Sequence, residues 1–180
     1  MTKLKNIIDC ATQPFIPEGW SVESHDTSLG QWEWEVPSLY LSEKQKGDKY
    51  IVGNDLRKEL KSQPVLPANV LDYLLANPYL IPEDWKGKAV FFWGTIYRDS
   101  DDLLYVRYLC WYGSGWGWNY DWLGNGFYSS NPALVRALAL SSESLPSLTL
   151  SSLSARVEKI ESWMKDEESK RPMTTPSVSA

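Results

Sequence analysis

A single histidine sets the ceiling on acid–base chemistry in this chain. His25 is the sole imidazole among 180 residues, so every Ser–His or Cys–His nucleophile scheme has to run through it. It sits in an alternating segment beside Asp26, with no nucleophile close in sequence, and reads as a structural or solvent-facing side chain. Cys10 and Cys110 have neither metal-ligand spacing nor the company of a disulfide framework. Asp99-Ser100-Asp101-Asp102 offers oxygen ligands of the kind calcium takes. The run lacks the glycine and the closing glutamate of an EF-hand loop, and Asp and Ser make tight turns by bonding their own backbone, so it reads as a turn. Gly113-Ser114-Gly115-Trp116-Gly117 fails as a phosphate loop. That motif needs a helix N-terminus after it, whereas strand-forming sequence lies on both sides here. A carboxylate pair, Glu83 or Asp84 with Asp121, would serve glycoside hydrolysis if held roughly 5–9 Å apart in a cleft. Nothing in the spacing brings the two together. No catalytic residue, cofactor or metal ligand is assigned on this basis.

What the chain has in excess is contact chemistry. Ten Trp and ten Tyr stand against four Phe, and both of the abundant types join a large apolar area to a polar tip, which suits half-buried surfaces as well as cores. The balance of 18 basic to 23 acidic residues gives a net charge of -5. Binding to a polyanion depends on clustered Lys and Arg that release counterions, and no basic stripe is present, so neither a nucleic acid nor an anionic membrane surface is expected as a partner. No apolar run approaches the roughly 18 residues that span a bilayer. The N-terminal Met1–Asp9 stretch is too briefly apolar for a signal peptide, and a cytoplasmic location is the expectation.

The elements that must position these side chains can be read from periodicity. Gln31 to Val36 alternates strictly, with Trp32, Trp34 and Val36 on one face, and Ser21 to Asp26 is its expected partner across Ser28-Leu29-Gly30. Ser38–Ser42 and Tyr50–Val52 are weaker strand candidates. Asn54 or Asp55 caps a short helix that carries Leu56 and Leu60 on one side. Pro67 opens a second, with Val70, Leu71, Leu74 and Leu75 as its apolar stripe and Asn77-Pro78 as its stop. Pro82 starts a single helical turn pinned by Trp85. Lys88–Arg98, Leu103–Tyr112 and Trp116–Leu123 are rich in aromatic and β-branched residues and separated by turn sequences, the pattern of an antiparallel meander. Asn131 with Pro132 is expected to begin a helix through Leu134 and Leu138.

With a four-residue first turn (99–102) and a three-residue second turn (113–115), one face of that meander carries Phe91, Trp93, Tyr97, Tyr108, Tyr112, Trp116, Trp118, Tyr120 and Trp122. The other carries Val90, Phe92, Ile96, Leu109 and Leu123, with Arg107 opposite Asp121. The Tyr/Trp face has the composition of a platform for sugars, bases or peptides, and Trp93, Tyr97, Tyr108, Tyr112, Trp116, Trp118, Tyr120 and Trp122 are the candidate binding residues. The same residues also suit a core facing the N-terminal strands, since large aromatics dominate cores. A second turn shorter by one residue would move the third strand's aromatics to the opposite face.

Ser141–Ser147 is a Ser-rich linker that closes a domain of residues 1–140. Beyond it, Leu150, Leu153, Val157, Ile160 and Met164 alternate at spacings of three and four, a short heptad seam over residues 148–168 through which the chain is expected to self-associate. Residues 169–180, with Pro172 and Pro176, read as a disordered end.

The strings Leu80-Ile81-Pro82-Glu83-Asp84-Trp85-Lys86, Val90-Phe91-Phe92-Trp93-Gly94-Thr95-Ile96-Tyr97-Arg98 and Leu104-Tyr105-Val106-Arg107-Tyr108-Leu109, with Val65–Leu75, resemble a family of small uncharacterised bacterial proteins over about residues 1–136. The resemblance implies a single domain ending near Arg136 and carries no activity, ligand or partner. The fold expected is α+β, an antiparallel aromatic-rich meander with short helices packed on one side, plus a C-terminal heptad helix. The function expected is a non-enzymatic binding or interaction module. A structural adaptor acting through oligomerisation alone, and a carboxylate-dependent enzyme acting on a glycan, are the alternatives.

Overall fold

The computed structural model describes residues 5–137. The linker, the heptad seam Leu150, Leu153, Val157, Ile160 and Met164, and the C-terminal end lie outside the described residues. In chain order the elements are β1 (Ile7–Asp9), β2 (Ser21–His25), β3 (Gln31–Glu33), β4 (Ser38–Tyr40), β5 (Ile51–Val52), α1 (Gly53–Glu59), α2 (Ala68–Ala76), β6 (Val90–Arg98), β7 (Leu104–Trp111), β8 (Trp116–Trp122), β9 (Gly126–Phe127) and β10 (Ala133–Val135). The fold is α+β. The main sheet runs β4-β10-β6-β7-β8, with β2 also paired to β6, and two ribbons, β1-β3 and β5-β9, accompany it.

β6 is the axis of this arrangement because its sequence leaves it no polar face. A strand that reads as an uninterrupted apolar run is buried on both sides, and Val90 to Tyr97 are all buried. Val90 and Phe92 join one cluster with Val70, Leu71 and Leu74 of α2 and with Ile8, Cys10 and Trp32 of the β1-β3 ribbon and its flank. Phe91, Trp93 and Ile96 join another with Leu56 of α1, Leu60, Ile51, Leu123 and Phe127. The two helices therefore cover opposite faces of the sheet, where the sequence led us to expect them on one.

Midway along β6, Gly94 lets another segment cross it. A Cβ there would lie 2.6 Å from the Pro67 nitrogen and 2.7 Å from the Leu66 carbonyl carbon, backbone atoms with nowhere to go. Gly94 N–H donates to Leu66 O at 3.0 Å, and its own carbonyl accepts from Asp26 N–H at 2.7 Å. Next to it, Thr95 Oγ1 accepts the Ala68 N–H at 2.9 Å. A sheet residue thus caps the start of α2, whose own N-cap position is Pro67 with no side chain to do so.

Two pairings depart from the sequence reading. β3 pairs with β1 and β2 with β6, so the 28–30 turn joins strands of different sheets. Residues 133–135, expected in a helix, form β10, bonded antiparallel to β4 and parallel to β6. Ala133, Leu134 and Val135 are all buried, and a continuous apolar triplet placed between two strands gains more from ladder pairing than from a short exposed helix. Among the described residues, no helix is long and apolar enough to cross a membrane.

Candidate functional site

The hairpins decide which aromatic rings share a surface. The first is closed by Asp99 N–H to Leu103 O at 3.1 Å, with Arg98 opposite Leu104, and β6 carries an irregularity between Phe91 and Ile96. The second is closed by Tyr112 N–H to Gly115 O at 3.0 Å, with Trp111 opposite Trp116. Each loop is one residue longer than the sequence reading assumed, and a single-residue shift moves every side chain of a strand to the other face. Arg107 consequently faces Tyr120, while Asp121 faces Val106. The expected Arg107–Asp121 pair does not form.

The nine-residue aromatic face divides accordingly. Phe91, Trp93 and Tyr108 lie on the α1 side, where Phe91 packs on Tyr108 at 4.7 Å and Trp93 on Phe127 at 5.2 Å. Tyr97 and the four β8 aromatics lie on the α2 side with Arg107 and Leu109. Trp93 and Tyr97 are 5% and 0% exposed, which removes them as contact residues. Tyr108, Trp116 and Trp118 are half-buried, the last two packed against the α2-side cluster. Tyr112, Tyr120 and Trp122 are exposed, Tyr112 lying against Gly117 and Trp122 folding over Gly124.

Arg107 organises the α2 side. It is 1% exposed, donates to Asp72 Oδ1 at 2.9 Å and approaches Asp72 Oδ2 at 3.4 Å. Its guanidinium carbon stands 4.1 Å over Trp118 and 5.1 Å over Phe15. Asp72 projects from α2, so a helix and a central strand are joined through a charge pair whose guanidinium is buried and whose carboxylate is partly exposed, and removing the carboxylate leaves the buried charge without its partner. The 11–20 segment is drawn over the pair: Phe15 N–H reaches Asp72 Oδ2 at 3.4 Å, and Tyr97 donates its hydroxyl to Phe15 O at 3.0 Å. Burial pushes the Tyr97 phenol up, partly offset by Arg107, so it is a donor at neutral pH. Asn69 Nδ2 holds the beginning of the segment through Asp9 O at 3.1 Å and Thr12 O at 2.9 Å.

Trp20, at the end of that segment, completes a ring cluster with Tyr105 (4.6 Å, 37°), Tyr120 (4.6 Å, 60°) and Tyr97 (6.2 Å, 58°). Tyr105 and Tyr120 meet edge to face at 86°. No pair is parallel, and the cluster presents ring faces and edges at mixed angles. Phe15, Trp20, Tyr105 and Asp72 were not singled out from sequence. For Phe15 and Trp20 the nearest signal is the run Pro14-Phe15-Ile16-Pro17-Glu18-Gly19-Trp20, aromatic residues placed among helix and strand breakers without periodicity.

The other candidates for chemistry resolve into structure. The 99–102 run is a turn in which Asp99 Oδ1 accepts from Asp101 N–H and Leu103 N–H, both at 2.9 Å. His25 Nε2 donates to Cys10 O at 3.1 Å, which fixes the proton on that nitrogen, and Nδ1 meets Thr95 Oγ1 at 2.8 Å. Glu83 is paired with Lys86 at 2.5 Å, while Asp121 accepts from Trp122 N–H at 2.9 Å and Asn125 Nδ2 at 2.6 Å. No bond links the carboxylates proposed for glycan chemistry. Among the described residues there is no grouping of three or more His, Cys, Asp or Glu able to hold a metal. A small cavity of about 160 Å³ is lined by Asp26, Ser28, Leu29, Pro64, Val65 and Arg136, none of them part of the ring cluster. Comparison of the chain with protein-family models, curated proteins and solved structures gave no match.

Proposed function

We propose that the chain is a non-enzymatic interaction module whose contact surface is the aromatic strip of β7 and β8 together with Phe15 and Trp20. The carrying observation is uneven cover on one side of one sheet. Over β6 the α2 side is sealed by helix and ribbon, but no residue of β8 is buried, and Tyr120 and Trp122 remain 43% and 41% exposed beside Phe15 at 52%. Aromatic residues left half-covered in a contiguous group are the composition of protein contact sites.

Site-specific photocrosslinking tests the reading. A benzophenone amino acid at position 120 or 122 is expected to give a discrete adduct in cells producing the protein. The same probe at Tyr79, which is 75% exposed and joins no aromatic pair among the described residues, is expected to give none. Equal labelling at all three positions, or none at 120 and 122, contradicts the proposal.

A further inference from the structure

The cluster of Trp20, Tyr105 and Tyr120 is rimmed by one sign of charge. Trp20 closes a tight turn through its N–H to Pro17 O at 3.1 Å, with Glu18 inside that turn. At the other end the β6–β7 loop brings Asp99 and Asp101 beside Tyr105. Burial pushes the Tyr105 phenol up, and the carboxylates of Asp99 and Asp101 add to the rise. The basic side chains of the adjoining β6 and β7 strands are already committed. Arg98 is paired with Glu23 at 2.7 Å and Asp102 at 3.3 Å, and Arg107 with Asp72.

The edge of β8 adds a second, independent bias. Leu123 N–H bonds Leu104 O at 2.9 Å, so by the antiparallel alternation Asp121, Asn119 and Gly117 turn their backbone groups toward β7, while Trp122, Tyr120 and Trp118 turn theirs outward. Two of those outward N–H groups are occupied from within the strand: Tyr120 N–H by Asn119 Oδ1 at 2.8 Å and Trp122 N–H by Asp121 Oδ1 at 2.9 Å. Among the described residues the outward carbonyls of Trp118 and Tyr120 accept no hydrogen bond. Blocked donors beside open acceptors discourage addition of another β-strand and suit a partner that brings only donors. Neighbouring aromatics of β7 and β8 already hold cations, since Arg107 lies against Trp118 and Lys86 Nζ sits 4.3 Å over Trp111.

We infer that the occupant of this surface is an arginine-bearing segment of a partner protein, its guanidinium groups set against Trp20, Tyr105 and Tyr120, paired with Glu18 and Asp101 and bonded to the free β8 carbonyls. Aromatic faces attract cations, a guanidinium supplies five donors and no acceptor, and carboxylates at the rim steer it. The inference rests on the contact surface proposed above and names its partner's chemistry.

The test is a titration of the full chain with an acetylated, amidated glycine–arginine repeat peptide, alongside the same peptide with glutamine at each arginine, read by tryptophan fluorescence at low salt. The arginine peptide is expected to bind more tightly and to weaken as salt is added. A Glu18→Gln, Asp101→Asn variant removes two carboxylates that make no hydrogen bond or ion pair among the described residues, so its melting temperature should not move. It is expected to weaken the arginine peptide about three- to tenfold and the glutamine peptide not at all. Tyr120→Ala is expected to weaken the arginine peptide about two- to fivefold. Equal binding of both peptides, lost together in Tyr120→Ala, overturns the cationic partner and leaves the aromatic contact surface standing. Binding of neither peptide at millimolar concentration overturns the inference, and the crosslinking at positions 120 and 122 then reports separately on the surface itself.

Discussion

β6 and β8 are both built largely from aromatic residues, and they end in opposite environments. β6 follows Val, Phe, Phe and Trp with Gly, Thr, Ile and Tyr, so neither face is polar and both are sealed. β8 sets Trp, Trp, Tyr and Trp against Gly, Asn and Asp, and no residue of it is buried. The difference lies in what alternates with the rings. Aromatic neighbours on both faces make a strand the middle of a two-sided core, while small and polar alternates make it an edge that shows its rings on one side. Trp content alone therefore says little about function here, and the alternate residues say more.

The comparison breaks first on stability. Phe92→Ala deletes a fully buried ring between α2 and β6 and should cost roughly 3–5 kcal/mol, whereas Tyr120→Ala on β8 should cost about 1 kcal/mol or less. Urea unfolding of the two variants measures both, and similar losses would mean that β8 is as much core as β6.

A second variant probes the buried link that separates sealed from open surface. Asp72→Asn leaves the Arg107 guanidinium, 1% exposed, without its countercharge and should cost about 1–3 kcal/mol, discounted because Asp72 is itself about one-third exposed. Glu83→Gln, which breaks an exposed pair with Lys86, should stay within about 0.5 kcal/mol. Thermal denaturation at neutral pH distinguishes the two. An Asp72 variant as stable as wild type would show that the 11–20 segment does not depend on the pair.

The cysteines sharpen the comparison with a smaller effect. Cys10 lies in the sealed cluster, and burial first, then the Asp9 and Asp26 carboxylates, push its thiol up to about 11, so the reactive thiolate is scarce at pH 7. Cys110, opposite Gly117 on β7, is only half-buried. Maleimide labelling of the folded chain at pH 7 should modify Cys110 at least about tenfold faster than Cys10. Comparable rates would show that the α2 side opens as readily as the β8 edge.

Much of the scaffold was legible in the sequence because it depends on local signals. The stripe of α2, the turn pinned by Trp85, and the three strands of the meander follow from periodicity and from Pro, Asn and Gly punctuation. What escaped was decided by long-range partners. β10 is a strand because β4 and β6 flank it, and β2 leaves its sequence neighbour β3 for β6. The candidate site failed at two points, loop length and the irregularity in β6 that separates Tyr97 from Phe91. Both hairpin loops hold one residue more than assumed, and the longer second loop separated the β8 aromatics from Trp93 and Tyr108 and matched Arg107 with Tyr120. Tyr112, Trp116, Trp118, Tyr120 and Trp122 stayed accessible in whole or part, and the rest of the surface came from a nonperiodic loop, Pro14–Trp20, and from Asp72 on the polar side of a helix.

The central claim, that β8 shows its rings while β6 hides them, is most directly tested by the indole N–H resonances of the ten tryptophans. With assignments made by single Trp→Phe substitutions, and among the tryptophans of the described residues, a soluble gadolinium chelate should broaden the Trp122 indole at the lowest concentration and the Trp118 and Trp20 indoles next. Trp93 and Trp85, 5% and 2% exposed, should be broadened last. A Trp122 signal as protected as that of Trp93 would contradict the β7–β8 register and the contact surface built on it.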